Sequence, residues 1–323
     1  MRAGAFGLSL LSVPLNVKVL QALREESKPL ADLRRAAGAP PRNTLRLHLQ
    51  ALTDLGVLER RPLNRLPGSV ELELTQAGRD LLEVAAVLEA WLGISPEGPL
   101  PPGSPLVKGA VDAFVEGWSC AIVRALAARP LSLTEISKLI AGLSYPSLER
   151  RLTAMRIAGQ IEARPDDGRG TPYVVTPWLR LAMGPLAAAI RWERTHARAE
   201  AAPVTRLDIE AAFLLALPSL QLPEHLTGTC RLAVALGKAA GETHLAGVVI
   251  EVEEGQVVSG ISRLAGVASG WATGSLAGWL RVIIEGEVDQ LEIGGDCDLA
   301  LALLDGLHAT LFRFPAEPGK MRL

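Results

Sequence analysis

The sequence is poor in the residues that build disulfide frameworks and thiolate metal sites. Its 323 residues include three cysteines, Cys120, Cys230 and Cys297, which lie far apart and form no Cys-x-x-Cys spacing. This pattern predicts neither a disulfide framework nor a zinc site, and it favours a reducing, cytoplasmic location.

Long hydrophobic runs are also missing. Although 49% of the residues are hydrophobic, proline, glycine and charged residues interrupt every long apolar stretch. A membrane span needs roughly 18 or more such residues, so we expect no membrane partner. Residues 2–15 imitate a secretion signal only loosely, and we expect an arm that packs on the first domain instead.

Catalytic motifs are scarce as well. The five histidines are scattered, and there is no His-Glu-x-x-His, Gly-x-Ser-x-Gly or glycine-rich phosphate loop. We therefore expect a protein that is not an enzyme and that requires no metal or other cofactor. One alternative is an acidic cluster that binds a hard cation or transfers protons: Glu285, Glu287, Asp289, Glu292, Asp296 and Asp298. The default interpretation is exposed carboxylates on strands and helix caps.

Charge is distributed unevenly along the chain. The net charge is −2, yet residues 1–200 contain 25 basic and 20 acidic side chains, whereas residues 201–323 contain 8 and 15. A modest basic excess in the first part indicates weakly a polyanionic partner, and the acidic remainder would be repelled by DNA.

An internal repeat organises the first 200 residues. At an offset of 103 the apolar pattern of the first copy recurs in the second. The matching positions are Leu45, Leu49, Leu52 and Gly56 in the first copy and Leu148, Leu152, Met155 and Gly159 in the second. Beyond the next turn the offset is 101, which aligns Thr75 with Thr176 and Trp91 with Trp192.

Each copy predicts the same order of elements. In the first copy, apolar spacing predicts helices near 15–25, 29–37 and 41–55, then extended runs at 57–61 and 70–75, then a long helix ending near Trp91. Helix, helix, helix, hairpin, helix is the order of a winged helix. Proline and glycine between 93 and 105 indicate a semi-rigid linker.

The predicted fold class is a multidomain α+β chain with two tandem winged-helix domains and a third, α/β domain. The predicted boundaries are 1–95 for the first winged-helix domain, 96–106 for the linker, 107–200 for the second winged-helix domain and 205–316 for the α/β domain.

The third helix of each winged helix enters the major groove, so its outer face must offer hydrogen-bond donors. With Leu45, Leu49 and Leu52 facing inward, the outward residues are Arg42, Asn43, Arg46 and Gln50. The hairpin adds Arg60, Arg61 and Arg65, which could reach phosphates or a minor groove. The alternative is an ordinary solvated face, but a basic helix and a basic hairpin in a duplicated unit favour double-stranded DNA.

The second copy departs from the first. Its candidate DNA-binding residues are Tyr145 and Arg150 on the helix and Arg164 and Arg169 on the hairpin, and Glu149 replaces Arg46. We expect the first copy to dominate affinity, while the second reads a different half-site or serves mainly as a pairing surface.

Both copies resemble the HxlR branch of the MarR-like winged helix-turn-helix regulators. The resemblance rests on Leu52, Gly56, Val57, Leu58, Glu59, Arg60, Leu74 and Thr75, and on Met155, Gly159, Ile161, Glu162, Val175 and Thr176 in the second copy. It implies transcription regulation. It also implies that two third helices, which we call readers, form a pair, either in a homodimer or in an intramolecular pseudo-dimer. In this sequence the readers are the third helix of the first copy, near 41–55, and its counterpart in the second copy.

The C-terminal part predicts strands near 229–236, 245–252, 256–262 and 288–293 and helices over 274–284 and 296–312. Its Thr273–Leu280 and Leu291–Asp296 stretches resemble the sterol-carrier-like fold, which implies an apolar tunnel. The candidate ligand-binding residues are Trp271, Trp279, Leu280, Ile283, Leu303 and Leu307, and ordinary core packing is the alternative for each.

Together these patterns predict a transcription regulator that responds to an apolar small molecule or lipid-like metabolite in its third domain. The alternative is a lipid or small-molecule carrier whose winged helices dock proteins. Steep salt dependence of duplex binding would separate the two.

Overall fold

The computed structural model describes residues 3–62, 70–101, 104–115, 117–140, 142–164, 171–239 and 242–312. The first unit consists of α1 (Ala5–Leu11), α2 (Pro14–Ala22), β1 (Lys28–Pro29), α3 (Leu30–Ala36), α4 (Arg42–Asp54), β2 (Leu58–Pro62), β3 (Val70–Leu74) and α5 (Gln76–Gly93). The predicted third helix, hairpin strands and long helix are confirmed within one or two residues. The region predicted as a first helix near 15–25 is α2, and α1 precedes it.

The second unit repeats this order, except that two helices, α10 and α11, stand where the first unit has the single long helix α5. It consists of α6 (Pro105–Val115), α7 (Gly117–Leu126), α8 (Leu133–Leu139), α9 (Tyr145–Ile157), β4 (Ile161–Ala163), β5 (Tyr173–Val175), α10 (Pro177–Arg180) and α11 (Met183–His196). A bridge between Leu131 and Tyr173 stands where the first unit has the β1–β3 pair.

A threonine side chain makes the same pair of hydrogen bonds in both units. The Thr75 hydroxyl donates to the carbonyl of Gly56 at 2.6 Å and accepts from the backbone N–H of Gly78 at the start of α5. Thr176 donates in the same way to Gly159 at 2.7 Å and caps the start of α10. Each threonine thus ties the turn after the third helix to the following helix, at the sequence offset that the repeat predicts.

The two units pack against each other through α5 and α11. At their contact the rings of Trp91 and Trp178 stack with centroids 4.7 Å apart and an interplanar angle of 2°. Each indole N–H donates to the other residue's carbonyl, at 2.8 Å from Trp91 and 3.0 Å from Trp178. The predicted linker therefore joins two units that share one core.

The N-terminal arm packs on the first unit, as expected, and also on the second unit. Helix α1 contacts α11, and the buried carboxylate of Glu193 accepts from the N–H groups of Gly4 at 2.7 Å and Gly7 at 2.9 Å. Because the first N–H groups of a helix have no partner within it, Glu193 completes α1 from another domain.

Taken over the described residues, no single helix has both the length and the hydropathy to cross a membrane. The pair α1 and α2, which is bent by 79°, meets the two criteria only when both helices are counted together.

Replacing Glu193 by glutamine should lower the free energy of unfolding by about 1–3 kcal/mol, because one amide N–H would face a buried donor. Burial raises the pKa of the Glu193 carboxyl, and the N–H groups of Gly7, Gly4 and Phe6 oppose that shift only in part. The native state therefore holds this proton more tightly than the unfolded chain, so the contribution of Glu193 falls as pH rises above the ordinary carboxyl pKa.

Urea unfolding at several pH values between 4.5 and 7.5 tests this. The stability difference between the natural protein and Glu193→Gln should be positive throughout and should shrink as pH rises. The exposed Glu200→Gln is the control and should change little. Equal stability of Glu193→Gln and the natural protein would contradict the capping role.

The C-terminal unit is a mixed sheet with helices on one face. It consists of α12 (Arg206–Ala216), a 3-10 turn (Leu217–Ser219), β6 (Gly228–Ala239), β7 (Glu242–Glu253), β8 (Gln256–Ile261), β9 (Gly270–Ser275), α13 (Leu276–Glu285), β10 (Leu291–Gly295) and α14 (Cys297–Phe312). The strand order is β10-β9-β6-β7-β8, and only the β6–β9 pair within it is parallel. Alternate residues of β6 and β7, such as Leu232 and Val248, are buried against the helices.

Three expectations for this unit need correction. The helix predicted over 274–284 begins at Leu276, because Gly274 and Ser275 belong to β9, a strand that the sequence patterns did not predict. The strand predicted over 288–293 is β10, which begins at Leu291. Helix α12 was also not predicted; a capping box formed by Thr205 and Asp208 starts it.

Helix α12 docks the C-terminal unit on the second repeat. The Arg124 guanidinium donates to the Asp208 carboxylate at 2.5 Å. The Arg180 guanidinium donates to the carbonyls of Leu214 and Leu215, both at 3.2 Å, at the end of α12. Both ends of α12 are thus held by arginines of the second unit, and the positive charge at its carboxyl end complements the helix dipole.

Candidate nucleic-acid interface

Helix α4 presents an exposed polar face on its outer side. Leu45, Leu49 and Leu52 are at most 5% exposed and pack in the core. The residues on the opposite side are all exposed, as the apolar spacing predicts: Arg42, Asn43, Arg46 and Gln50. Guanidinium and amide groups on an exposed helix face are the donors that read guanine and adenine edges.

A buried polar chain fixes this helix on the first unit. The His48 Nδ1 lies 2.9 Å from Asn16 Oδ1, and the Asn16 amide donates to the carbonyl of Leu10 at 3.0 Å. Asn16 is 5% exposed, so these two contacts replace the hydrogen bonds that its side chain would make with water. His48 therefore positions α4 relative to α1 and α2.

The hairpin lies beside the reader helix. Arg60 is exposed and donates to the side-chain oxygen of Gln50 at 3.3 Å, which links β2 to α4. Arg61 is exposed and pairs with Glu73 across the hairpin at 3.2 Å. Exposed pairs of this kind are weak and can be exchanged for phosphate contacts. Arg65 lies outside the described residues.

The groove between α4 and the hairpin also has an apolar part that the sequence patterns did not predict. Leu47 on α4 is 72% exposed, and Leu30 and Val70 line the same groove. The sequence signal for this apolar part was Leu47, which lies two positions after Leu45 and therefore outside the buried row of leucines. Apolar side chains at this place can contact thymine methyl groups.

The second reader is exposed too, but its chemistry differs. Tyr145 is 47% exposed, and Arg150 and Glu149 are exposed on α9. Arg164 is exposed at the end of β4, 3.6 Å from the Glu162 carboxylate. Arg169 lies outside the described residues. The C-terminal unit leaves this face of α9 uncovered.

The apolar cavity lies between the C-terminal unit and the second repeat, rather than within a tunnel of the C-terminal unit. It has a volume of about 120 Å³ and is lined by Trp279, Leu280, Ile283 and Leu307 of the predicted set. Phe114, Cys120 and Val123 of the second unit also line it. The sequence patterns missed these three because nothing local to them signals a neighbouring domain.

Two of the predicted ligand-binding residues do not line this cavity. Ala272 on β9 is fully buried, so the adjacent Trp271 points to the opposite face of the sheet. There it lies across Gly294, where an added Cβ would be 2.5 Å from the Trp271 ring. Leu303 is fully buried in the core on α14.

Four of the six residues in the predicted acidic cluster are engaged in ion pairs or a helix cap: Glu285, Glu287, Asp289 and Asp296. Arg281 pairs with Glu285 and Asp289, both at 3.4 Å, and with Glu287. Asp296 accepts from the N–H of Leu299 at the start of α14. Over the part of the chain that the structure describes, no group of three or more His, Cys, Asp or Glu side chains could hold a metal ion.

Comparison with known proteins gives a family match that lies within the first unit. Residues 13–95 match the protein family described as HxlR-like helix-turn-helix. Two curated relatives, from Escherichia coli (strain K12) and Shigella flexneri, are each described as "Uncharacterized HTH-type transcriptional regulator YtfH". Each is 37% identical over 79 residues, a match that covers 24% of this chain and 63% of the relative. Residues 13–95, which contain α4 and the hairpin, are therefore similar to HxlR-like helix-turn-helix domains.

Proposed function

We propose that this chain is a cytoplasmic DNA-binding transcription regulator that acts by binding rather than by catalysis. The observation that carries the proposal is the exposed polar face of α4, with Arg42, Asn43 and Arg46, beside the arginines of the hairpin. The match of residues 13–95 to helix-turn-helix proteins supports it. The second unit, with the same element order and the same threonine caps, serves as a second winged helix.

A binding titration at several salt concentrations tests the DNA-binding proposal. If four arginines each neutralise a phosphate, the logarithm of the association constant should fall with the logarithm of salt with a slope of about −3 to −4. This corresponds to a loss of about a hundredfold between 50 and 200 mM salt. If the protein does not bind duplex DNA even at low salt, the proposal is contradicted.

A carrier whose winged helices dock proteins is the second candidate. The exposed Leu47 on α4 and Ile157 on α9, at 72% and 74%, favour it because apolar side chains of this size are common in protein interfaces. The same titration separates the candidates, since a protein-docking module has no reason to bind duplex DNA with a steep salt dependence.

We further propose that a small apolar ligand regulates DNA binding by occupying the apolar cavity between the second unit and the C-terminal unit. Ligands of drug size occupy pockets of about 300–1,000 Å³, and an apolar cavity of about 150 Å³ holds a benzene-sized molecule. The volume of about 120 Å³ therefore favours a one-ring compound over a lipid-like metabolite. Because both units line the cavity, a ligand there would bias how they pack.

Benzene is a suitable first probe of the cavity. We expect benzene to raise the melting temperature and to change duplex affinity, and Ala212→Phe, which fills the cavity from α12, to abolish both effects. A response to benzene that is the same in Ala212→Phe and in the natural protein would place the effect elsewhere. Unchanged duplex affinity with bound benzene would remove the switch and leave DNA binding intact.

A further inference from the structure

We infer that a single chain reads one operator whose two half-sites differ in sequence, so that the operator is not a palindrome. This inference rests on the proposed DNA-binding function. It follows from three features of the described residues: a reciprocal interface between the repeats, two uncovered readers, and unlike side chains on those readers.

The interface between the repeats has the pattern of a two-fold contact. The Trp91 indole donates to the carbonyl of Trp178, and the Trp192 indole donates to the carbonyl of Ala77, both at 2.8 Å. At the repeat offset of 101, Trp91 corresponds to Trp192 and Trp178 corresponds to Ala77. Donor and acceptor therefore exchange roles between the units, as residues do across the two-fold axis of a homodimer.

Because α4 and α9 are corresponding helices of the two repeats, a two-fold arrangement of the units pairs α4 with α9. Each reader is tied to its own unit by the same threonine device, at Thr75 and at Thr176. A duplex also has two-fold axes, so a two-fold pair of readers meets successive major grooves about 10 bp apart. Both readers stay exposed with the C-terminal unit in place.

One chain suffices for both readers because its own long helices already form the pairing surface. Trp91 on α5 is fully buried and Trp192 on α11 is 2% exposed, each against the other unit. A second chain cannot use these surfaces unless the units separate.

The two readers cannot favour the same bases. At the offset of 103, Arg46 corresponds to Glu149 and Asn43 corresponds to Pro146. An arginine donates to guanine, whereas a glutamate accepts from the cytosine amino group and repels phosphate. The two half-sites must therefore differ, and the second contributes less affinity than the first.

Selection from random 30-bp duplexes with the full chain tests the inference. We expect enrichment of two unlike half-sites with centres about 10 bp apart, and one chain per duplex by mass photometry. Palindromes made by duplicating either half-site should bind at least tenfold more weakly than the selected site, since mismatches cost about that much or more.

Two matched variants assign the half-sites. Glu149→Arg should change the selected bases in one half-site only, and Arg46→Glu should change them in the other only. Enrichment of a palindrome, two chains per duplex, or a site unchanged by Glu149→Arg would overturn the inference while leaving DNA binding intact. No enrichment of any duplex would overturn the inference and the proposed function together.

Discussion

The variant in which Arg42 and Arg46 are both alanine should bind the selected duplex about a hundredfold more weakly than the natural protein. Both side chains are exposed on α4, so they are free to contact bases or phosphates. Arginine contacts to bases contribute about 1–3 kcal/mol each, so losing two costs about 3 kcal/mol. Because neither residue packs in the core, the urea unfolding curve should not change.

The variant in which Arg194 and Arg198 are both alanine provides the matched control for this experiment. Both are exposed arginines, one on α11 and one just after it, outside α4 and α9, and their loss removes the same two positive charges. Fluorescence anisotropy at one salt concentration should show a change of less than about threefold for the control. Equal weakening by the two variants would mean that net charge, and not the face of α4, governs binding.

The exposure of the polar face of α4 was predictable from the sequence because it depends on local spacing. Leu45, Leu49 and Leu52 recur at helical intervals, and a helix with one apolar stripe must turn its other side to solvent. The repeat then made the same argument available for α9. His48 was not predictable in this way, because its partner Asn16 lies on a helix more than 30 residues away in the chain.

The lining of the apolar cavity was predicted less well, and the reason is physical. The strand β9 places Trp271 and Ala272 on opposite faces, so assigning residues near 274 to a helix hid which face Trp271 occupies. The cavity also needs Phe114 and Val123, which come from another unit. Contacts between units depend on packing over long chain separations, and no local periodicity encodes them.

The position of α12 explains how the C-terminal unit could influence DNA binding. Arg124 and Arg180 hold α12 on the second repeat, and the cavity lies beneath it. The first repeat has no equivalent docked unit within the described residues. An effect of the cavity would reach the second unit through Phe114 and Val123, which line it, and the first unit through Ala3, which also lines it, and through the α5–α11 contact.

Replacing Trp91 by alanine should lower the free energy of unfolding by about 3–5 kcal/mol. Trp91 is fully buried and stacks on Trp178, and its ring meets Phe114 edge-on with centroids 5.4 Å apart. Truncation leaves a cavity between the repeats and removes the donor to the Trp178 carbonyl. Urea unfolding followed by circular dichroism at equilibrium measures the loss.

The same variant separates pairing of the repeats from reading by each repeat. Trp118→Ala is the control, because Trp118 is 39% exposed on α7 and should cost clearly less stability. At a temperature where Trp91→Ala remains folded, its affinity for a single half-site should match that of the natural protein, whereas its affinity for the two-half-site duplex should fall about tenfold. That difference arises because reading both half-sites on one duplex needs the fixed arrangement of α4 and α9. Equal affinity of Trp91→Ala and the natural protein for the complete site would mean that the stack stabilises the fold without setting the spacing of the readers.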